Sequence, residues 1–317
     1  MTYAQFGTIQ ATDFNTLAGG NPTTTSGTLN AVWATGGGAA GYGQTNLANV
    51  AAGNTVAATG QWATLVANTA SAATHQGSSI TAVTAPVSGG TITFLSAIPT
   101  NLTTIFTNKL NAASQGSTSA NTITTATTWS GAATWTHTAT FANGDAARYF
   151  FNSGGQLKLT MSHPGATGIN LLFNNLSSNV GTVVMSAPSS GTITVSGVSF
   201  NGITKIGGGG NAPTISQNSG YYAMTTANAN VFTQTASTGP SGYLSTFIRV
   251  IAKSNGTQGS NSDAGSVVTL YTVWDEVPDG LTVTSGSAVT LTAQAPETTN
   301  LANTWGTITL AGSVAVV

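Results

Sequence analysis

Hydrophobic residues in the first third of the chain recur with helical spacing. Trp62, Leu65, Val66, Thr69 and Ala73 fall at steps of 0, 3, 4, 7 and 11, one face of a helix. Thr59 is the expected N-cap and Gly77 the expected stop. A second helix is expected after Pro99, capped by Thr100 or Asn101, with Leu102, Ile105, Phe106 and Leu110 on one side. A weaker pattern joins Phe14 and Leu17 to Leu29, Val32 and Trp33 across a Gly/Thr-rich stretch, and the glycines at 36–38 end it.

From about residue 116 the period changes to alternation. The run NTITTATTWSGAATWTHTATFA places Thr and Trp on alternate positions. ARYFFNSGGQLKLTM reads as two strands joined at Asn152-Ser153-Gly154-Gly155, with Leu157, Leu159 and Met161 facing one way. GTVVMSA, GTITVSGVSF, YLSTFIRVIAKS, SVVTLYTVWDEV, SAVTLTAQA and TWGTITLAG are further strand candidates. Short strands between Gly, Asn and Ser turns predict an antiparallel sandwich or jelly roll. The expected fold class is therefore α+β: a small Gly-rich helical module over 1–115, then a mainly antiparallel β-sandwich or jelly-roll-like domain over 116–317. The boundary falls in the Ser/Thr/Asn stretch at 112–122.

Composition narrows the function. Only 4% of the 317 residues are charged, and the formal net charge is −1, against roughly 25% charged residues in an ordinary soluble protein. Six scattered basic residues form no cluster that could displace counterions from phosphates, so neither nucleic acid nor an anionic membrane is expected as a partner. A surface this neutral is easiest to keep in solution when much of it is buried against other subunits. Cysteine is absent, which removes disulfides and thiolate metal sites. The opening residues carry no basic and apolar signal segment, so synthesis in a cytosol is expected.

Candidate chemistry is sparse. Gly36-Gly37-Gly38-Ala39-Ala40-Gly41 spells G-x-G-x-x-G, but a helical pattern precedes it. No acidic residue lies between Asp13 and Asp145 to bind a ribose. The first three glycines read instead as a helix stop and turn in a loop joining helices. His75, near the end of its helix, is expected to bond terminal carbonyls, His163 to sit in a turn, and His137 on an exposed strand face. A Ser-His-Asp triad stays open on residue types alone, although G-x-S-x-G is absent. Asp275, Glu276 and Asp279 read as a solvated turn, with a calcium site as the alternative. Asp145 and Arg148, flanking the expected hairpin, are expected to make a local ion pair of little energetic worth. Trp129 and Trp135 read as core, with a sugar-stacking platform as the alternative. No catalytic residue, metal or cofactor is expected.

Two stretches carry a resemblance. Gly41-Tyr42-Gly43-Gln44, followed by GNTVAATGQWATLVANTASAATHQG with Trp62, His75 and Gln76, resembles the N-terminal module of structural proteins from tailed bacteriophages, notably those of cyanobacteria. Ala147-Arg148-Tyr149-Phe150-Phe151-Asn152 with Gly154-Gly155 resembles the ARYFFN-x-GG hairpin of the same virion proteins. The order of YLSTFIRVIAKS, a strand ending in Asp-Glu and a Thr/Val strand agrees as well. The resemblance implies a non-enzymatic virion component made in the host cytoplasm. The expected role is a tail, neck or fibre part that docks through residues 1–113 and partners other virion proteins and copies of itself as a homo-oligomer. A capsid decoration protein and a host-surface glycan- or receptor-binding module are the alternatives.

Overall fold

The structure, a computed structural model, describes residues 11–87, 96–216, 219–259 and 264–317. Four helices come first: α1 (Ala11–Ala18), α2 (Leu29–Val32), α3 (Ala63–Gln76) and α4 (Ala97–Thr107). Then follow β1 (Gln115–Thr124), β2 (Ala132–Thr140), α5 (Gly144–Asn152), β3 (Gln156–Ser162), α6 (Gly168–Val180) and β4 (Thr182–Met185). Short strands β5 (Ile193–Val195), β6 (Val198–Phe200), β7 (Ile203–Ile206) and β8 (Thr214–Ile215) come next. The chain closes with β9 (Ala229–Thr235), β10 (Phe247–Ser254), β11 (Val267–Asp275), β12 (Ala288–Pro296) and β13 (Thr309–Val316).

The helices form where the spacing predicts them, with shifted starts. A π-helical turn, Ala58–Trp62, runs directly into α3, so Thr59 lies inside a turn and caps nothing. Gly77 does end α3: at φ 68° it takes the left-handed conformation, and Ser78 N–H bonds back to the Ala73 carbonyl at 2.8 Å. Helix α4 begins at Ala97, two residues before Pro99, because proline's missing N–H costs nothing in a first turn.

Much of the helical region is irregular chain, and amide side chains stand in for secondary structure. Asn15 Nδ2 donates to the Val50 carbonyl, and Val50 N–H donates back to Asn15 Oδ1, both at 2.8 Å. Asn30 does the same with Leu47 and Asn101 with Thr81. Around these clamps Phe14, Leu17, Leu29, Leu65, Leu102 and Trp62 bury one core, to which Leu301 from far down the chain also belongs.

The β region is two antiparallel sheets, ordered β1-β12-β3-β4-β7 and β13-β2-β11-β10-β9-β8. Strands β2, β10 and β11 alternate between buried and half-buried positions, the signature of one face turned inward. The inward faces share one core. At its centre Trp135 and Trp274 lie 5.0 Å apart, Phe173 stacks on Trp274 at 5.5 Å, and Trp129 packs against Phe173 at 5.1 Å. A separate hairpin, β5–β6, turns at Ser196-Gly197, both with positive φ, as a tight hairpin turn requires.

Two elements depart from the sequence reading. The expected strand over Ala147–Asn152 is helix α5. Asn143 caps it by accepting the Ala146 N–H at 2.8 Å, and Asp145 sits in the first turn. Ala147, Phe150 and Phe151 then fall on one buried helical face. A short apolar run cannot separate the two periods by itself, and the cap decides. Helix α6, absent from the reading, buries Ile169, Leu172, Phe173, Leu176 and Val180 at helical spacing against β3 of one sheet and β9–β10 of the other. Because Phe173 joins three aromatic neighbours, Phe173→Ala is expected to destabilise the fold by about 3–5 kcal/mol. Urea unfolding followed by tryptophan fluorescence measures it.

Candidate functional site

Several of the residues quoted for the resemblance, Tyr42, Gly43, Gln44, His75, Gln76, Arg148, Tyr149 and Asn152, meet at the junction between the helical region and the sandwich. The segment Gly41–Gln44 folds back along the end of α2: Tyr42, Gly43 and Gln44 donate their N–H groups to the carbonyls of Val32, Ala34 and Trp33, each at 2.9 Å. Gly43 has φ 70°, and its bare Cα lies against the ring of Tyr149 on α5. Any side chain there would meet both the backbone strain and the ring.

Three contacts tie this segment onward. Gln44 Nε2 donates to the Ala302 carbonyl and Gln44 Oε1 accepts the Ala302 N–H, both at 2.9 Å. Thr304 Oγ1 donates to the Tyr42 carbonyl at 2.6 Å. The buried Tyr42 hydroxyl accepts from Gln76 Nε2 at 2.8 Å, while Gln76 also donates to the Ile105 carbonyl. Burial pushes the Tyr42 phenol far above its ordinary range.

Next to Gln76, His75 is fully buried and its Nδ1 lies 3.0 Å from Glu297 Oε1. The His75 ring packs edge-on against Tyr42, with centroids 5.2 Å apart. Among the described residues its Nε2 has no hydrogen-bond partner. The bond with His75, joined by Asn300 and the Thr299 N–H, holds the Glu297 carboxyl down at about 2, against the upward push of burial. His75 therefore reaches across to the segment after β12 rather than to its own helix terminus.

The other flank is α5. Arg148 Nε lies 3.1 Å from Asp145 Oδ1, and Nη1 donates to the Ala40 carbonyl at 2.7 Å. Its guanidinium sits 4.7 Å from the centre of the Tyr149 ring. The expected local pair forms, but it is buried at both ends, where losing either partner strands a charge, so it is not of little worth. Asn152 Nδ2 donates to the Gly41 carbonyl at 3.0 Å, and the Tyr222 hydroxyl lies 2.7 Å from both the Gly38 carbonyl and Asn152 Oδ1. The Gly36–Gly41 stretch is therefore fastened to the sandwich as well as joined to helices.

Not every motif residue is at this junction. Ala147, Phe150 and Phe151 point into the sandwich core, where Phe151 stacks on Tyr221 at 4.2 Å. Gly154 and Gly155 turn the chain from α5 into β3, and Trp62 packs against Phe14 in the helical core. Nothing in the sequence singles out Glu297, Ala302, Thr304 and Tyr222 as parts of this junction. They lie far from the motifs along the chain, and only Glu297, a rare carboxylate here, carries a chemical signal.

The remaining candidates are placed inside. His137 is fully buried between the sheets, because β2 turns it to the same face as Trp135, and burial lowers its basicity. His163 is also buried: Ser287 Oγ lies 2.8 Å from Nδ1 and Asn170 Oδ1 3.1 Å from Nε2. Since Thr284 N–H also donates to Asn170 Oδ1, that oxygen is an acceptor, His163 donates from Nε2, and Ser287 donates to Nδ1. This relay has a triad's polarity, but it ends in a neutral amide, and Ser287 is fully buried. Glu276, expected in a solvated turn, is buried and accepts the N–H groups of Gly131 and Leu281. Trp129 and Trp135 are both buried and offer no stacking platform.

Among the described residues no three His, Asp or Glu side chains converge as a metal site, and no helix is long and apolar enough to cross a membrane. Three surface hollows lined mainly by Thr, Ser, Ala and Asn include none of the histidines or carboxylates. No protein-family model, curated protein or solved structure matches the chain.

Glu297 makes the junction acid-sensitive. Its carboxyl is held below its ordinary value of 4.5 in the folded state. The stability it contributes is thus complete above that value and is lost as pH falls from about 4.5 toward 2, amounting to about 1–3 kcal/mol. Glu297→Gln is expected to lower stability at pH 7 and to flatten this acid limb. Denaturant unfolding at pH steps from 6 to 2 tests both.

Proposed function

We propose that the chain is a non-enzymatic structural component of a tailed-phage virion, associated with tail, neck or fibre and assembling as an oligomer. One observation carries the reading. Tyr42, Gln44, His75, Gln76, Arg148 and Asn152 of the two motifs bond across the junction, to one another's segments and to the 297–304 segment, as a buried clamp between helical region and sandwich. They are committed to holding two parts of the molecule in fixed relation, which suits a part that transmits position and load.

The composition supports the same reading. With so few charges, the surface is covered by hydroxyls, amides and small apolar groups, a covering suited to burial against neighbouring subunits. The burial of Trp129 and Trp135 removes the specific feature that favoured glycan recognition.

Light scattering on the purified chain is expected to return a multiple of the monomer mass, and mass spectrometry of purified particles to detect the chain. A chain that stays monomeric and is missing from particles overturns the proposal.

A further inference from the structure

The four outer edges of the sandwich are not alike. On one side the sheets end in β7, four residues long and carrying Lys205, and in β8, only two residues long. Short strands and an edge lysine are the ordinary means of preventing strand addition. On the other side they end in β1 and β13, ten and eight residues long. Their sequences, QGSTSANTIT and TLAGSVAV, contain no charge and no proline. The irregularity in β1 lies between Gln115 and Thr118 and leaves the rest in regular register. Most of both strands is exposed, and among the described residues no strand pairs with the outer edge of either.

The two open edges also lie side by side. Gly312 of β13 packs so closely on β1 that a Cβ there would stand 3.0 Å from Asn121 Oδ1 and Ile123 Cγ1. The N–H of Val317 bonds to the Ala132 carbonyl. Alternation along the antiparallel pair then turns the N–H groups of Ala315, Ser313 and Ala311 toward β2 and those of Val314, Gly312 and Leu310 outward. Among the described residues this side of the molecule therefore offers two adjacent rows of backbone groups with no strand paired to them.

The geometry points to this side as a strand-addition interface for a second copy of the same chain. A lone extended peptide can continue only one sheet. A second copy brings two edges with identical separation. A two-fold axis normal to the sheets makes β1 meet its counterpart and β13 meet its own, antiparallel in both layers. The small uncharged side chains of both strands face like residues without repulsion. This inference rests on the reading that the chain assembles as an oligomer, and it names the surface that does so.

Sedimentation velocity, with amide hydrogen exchange on the wild-type chain, tests it. The wild type is expected to run at twice the monomer mass. The outward amides of Leu310, Gly312 and Val314 should exchange at least about 100-fold more slowly than open edge amides. The double substitution Ala120→Lys with Ala311→Lys, at exposed positions of the two edges, is expected to give a monomer with unchanged far-ultraviolet circular dichroism. An oligomer that survives the double substitution, or one whose β13 amides exchange fast, overturns the edge interface while leaving assembly standing. A wild type that is monomeric at every concentration overturns both.

Discussion

The interaction on which this structure depends is the two-way amide clamp. A side-chain carboxamide bonds both the N–H and the C=O of one distant residue, as a neighbouring strand would. Asn15 holds Val50, Asn30 holds Leu47, Asn101 holds Thr81, and Gln44 holds Ala302. A chain with almost no charged residues must satisfy buried backbone groups with neutral partners. The amide is the side chain that offers donor and acceptor together. The irregular segments of the helical region keep their shape because these clamps, rather than regular ladders, complete their hydrogen bonding.

Gln44 extends the same device across the molecule. Its partner Ala302 follows Leu301, which is buried in the helical core although it lies beyond the last-but-one strand. The segment between β12 and β13 thus crosses back to the helices, carrying Glu297 to His75 and Thr304 to the Tyr42 carbonyl. Arg148 and Asn152 fasten the other flank. The helical region and the sandwich are joined by buried polar bonds from three separate parts of the chain, which fixes their relation more sharply than an apolar contact would.

Much of the architecture was legible in the chain. Helices α3 and α4 follow from their apolar faces, and the long strands from alternation in β2, β11 and β12. What failed did so for identifiable reasons. Ala147–Asn152 suggests the wrong period, because six residues with a mixed apolar pattern fit strand and helix equally until Asn143 is seen to cap them. The threonines around His137 in sequence suggest an exposed face. The face it shares is set by Trp135, two residues away, which the core claims. Glu276 looked like a turn carboxylate and is one that folds inward to hold the turn's own N–H groups.

By itself the sequence determined the class of the molecule: helices with antiparallel sheets, very few charges and no cysteine chemistry. Those conclusions rest on local periodicity and composition, which act over a few residues or over the whole chain. Only the tertiary structure decided that the two motifs face each other, with Gly43 bare against Tyr149 and Asn152 bonded to Gly41. It alone brought a third segment, 297–304, to complete the clamp. Hydrogen bonds between residues more than a hundred or two hundred positions apart leave no spacing in the sequence to read. They exist because the two cores, once formed, leave these polar groups facing one another out of reach of water.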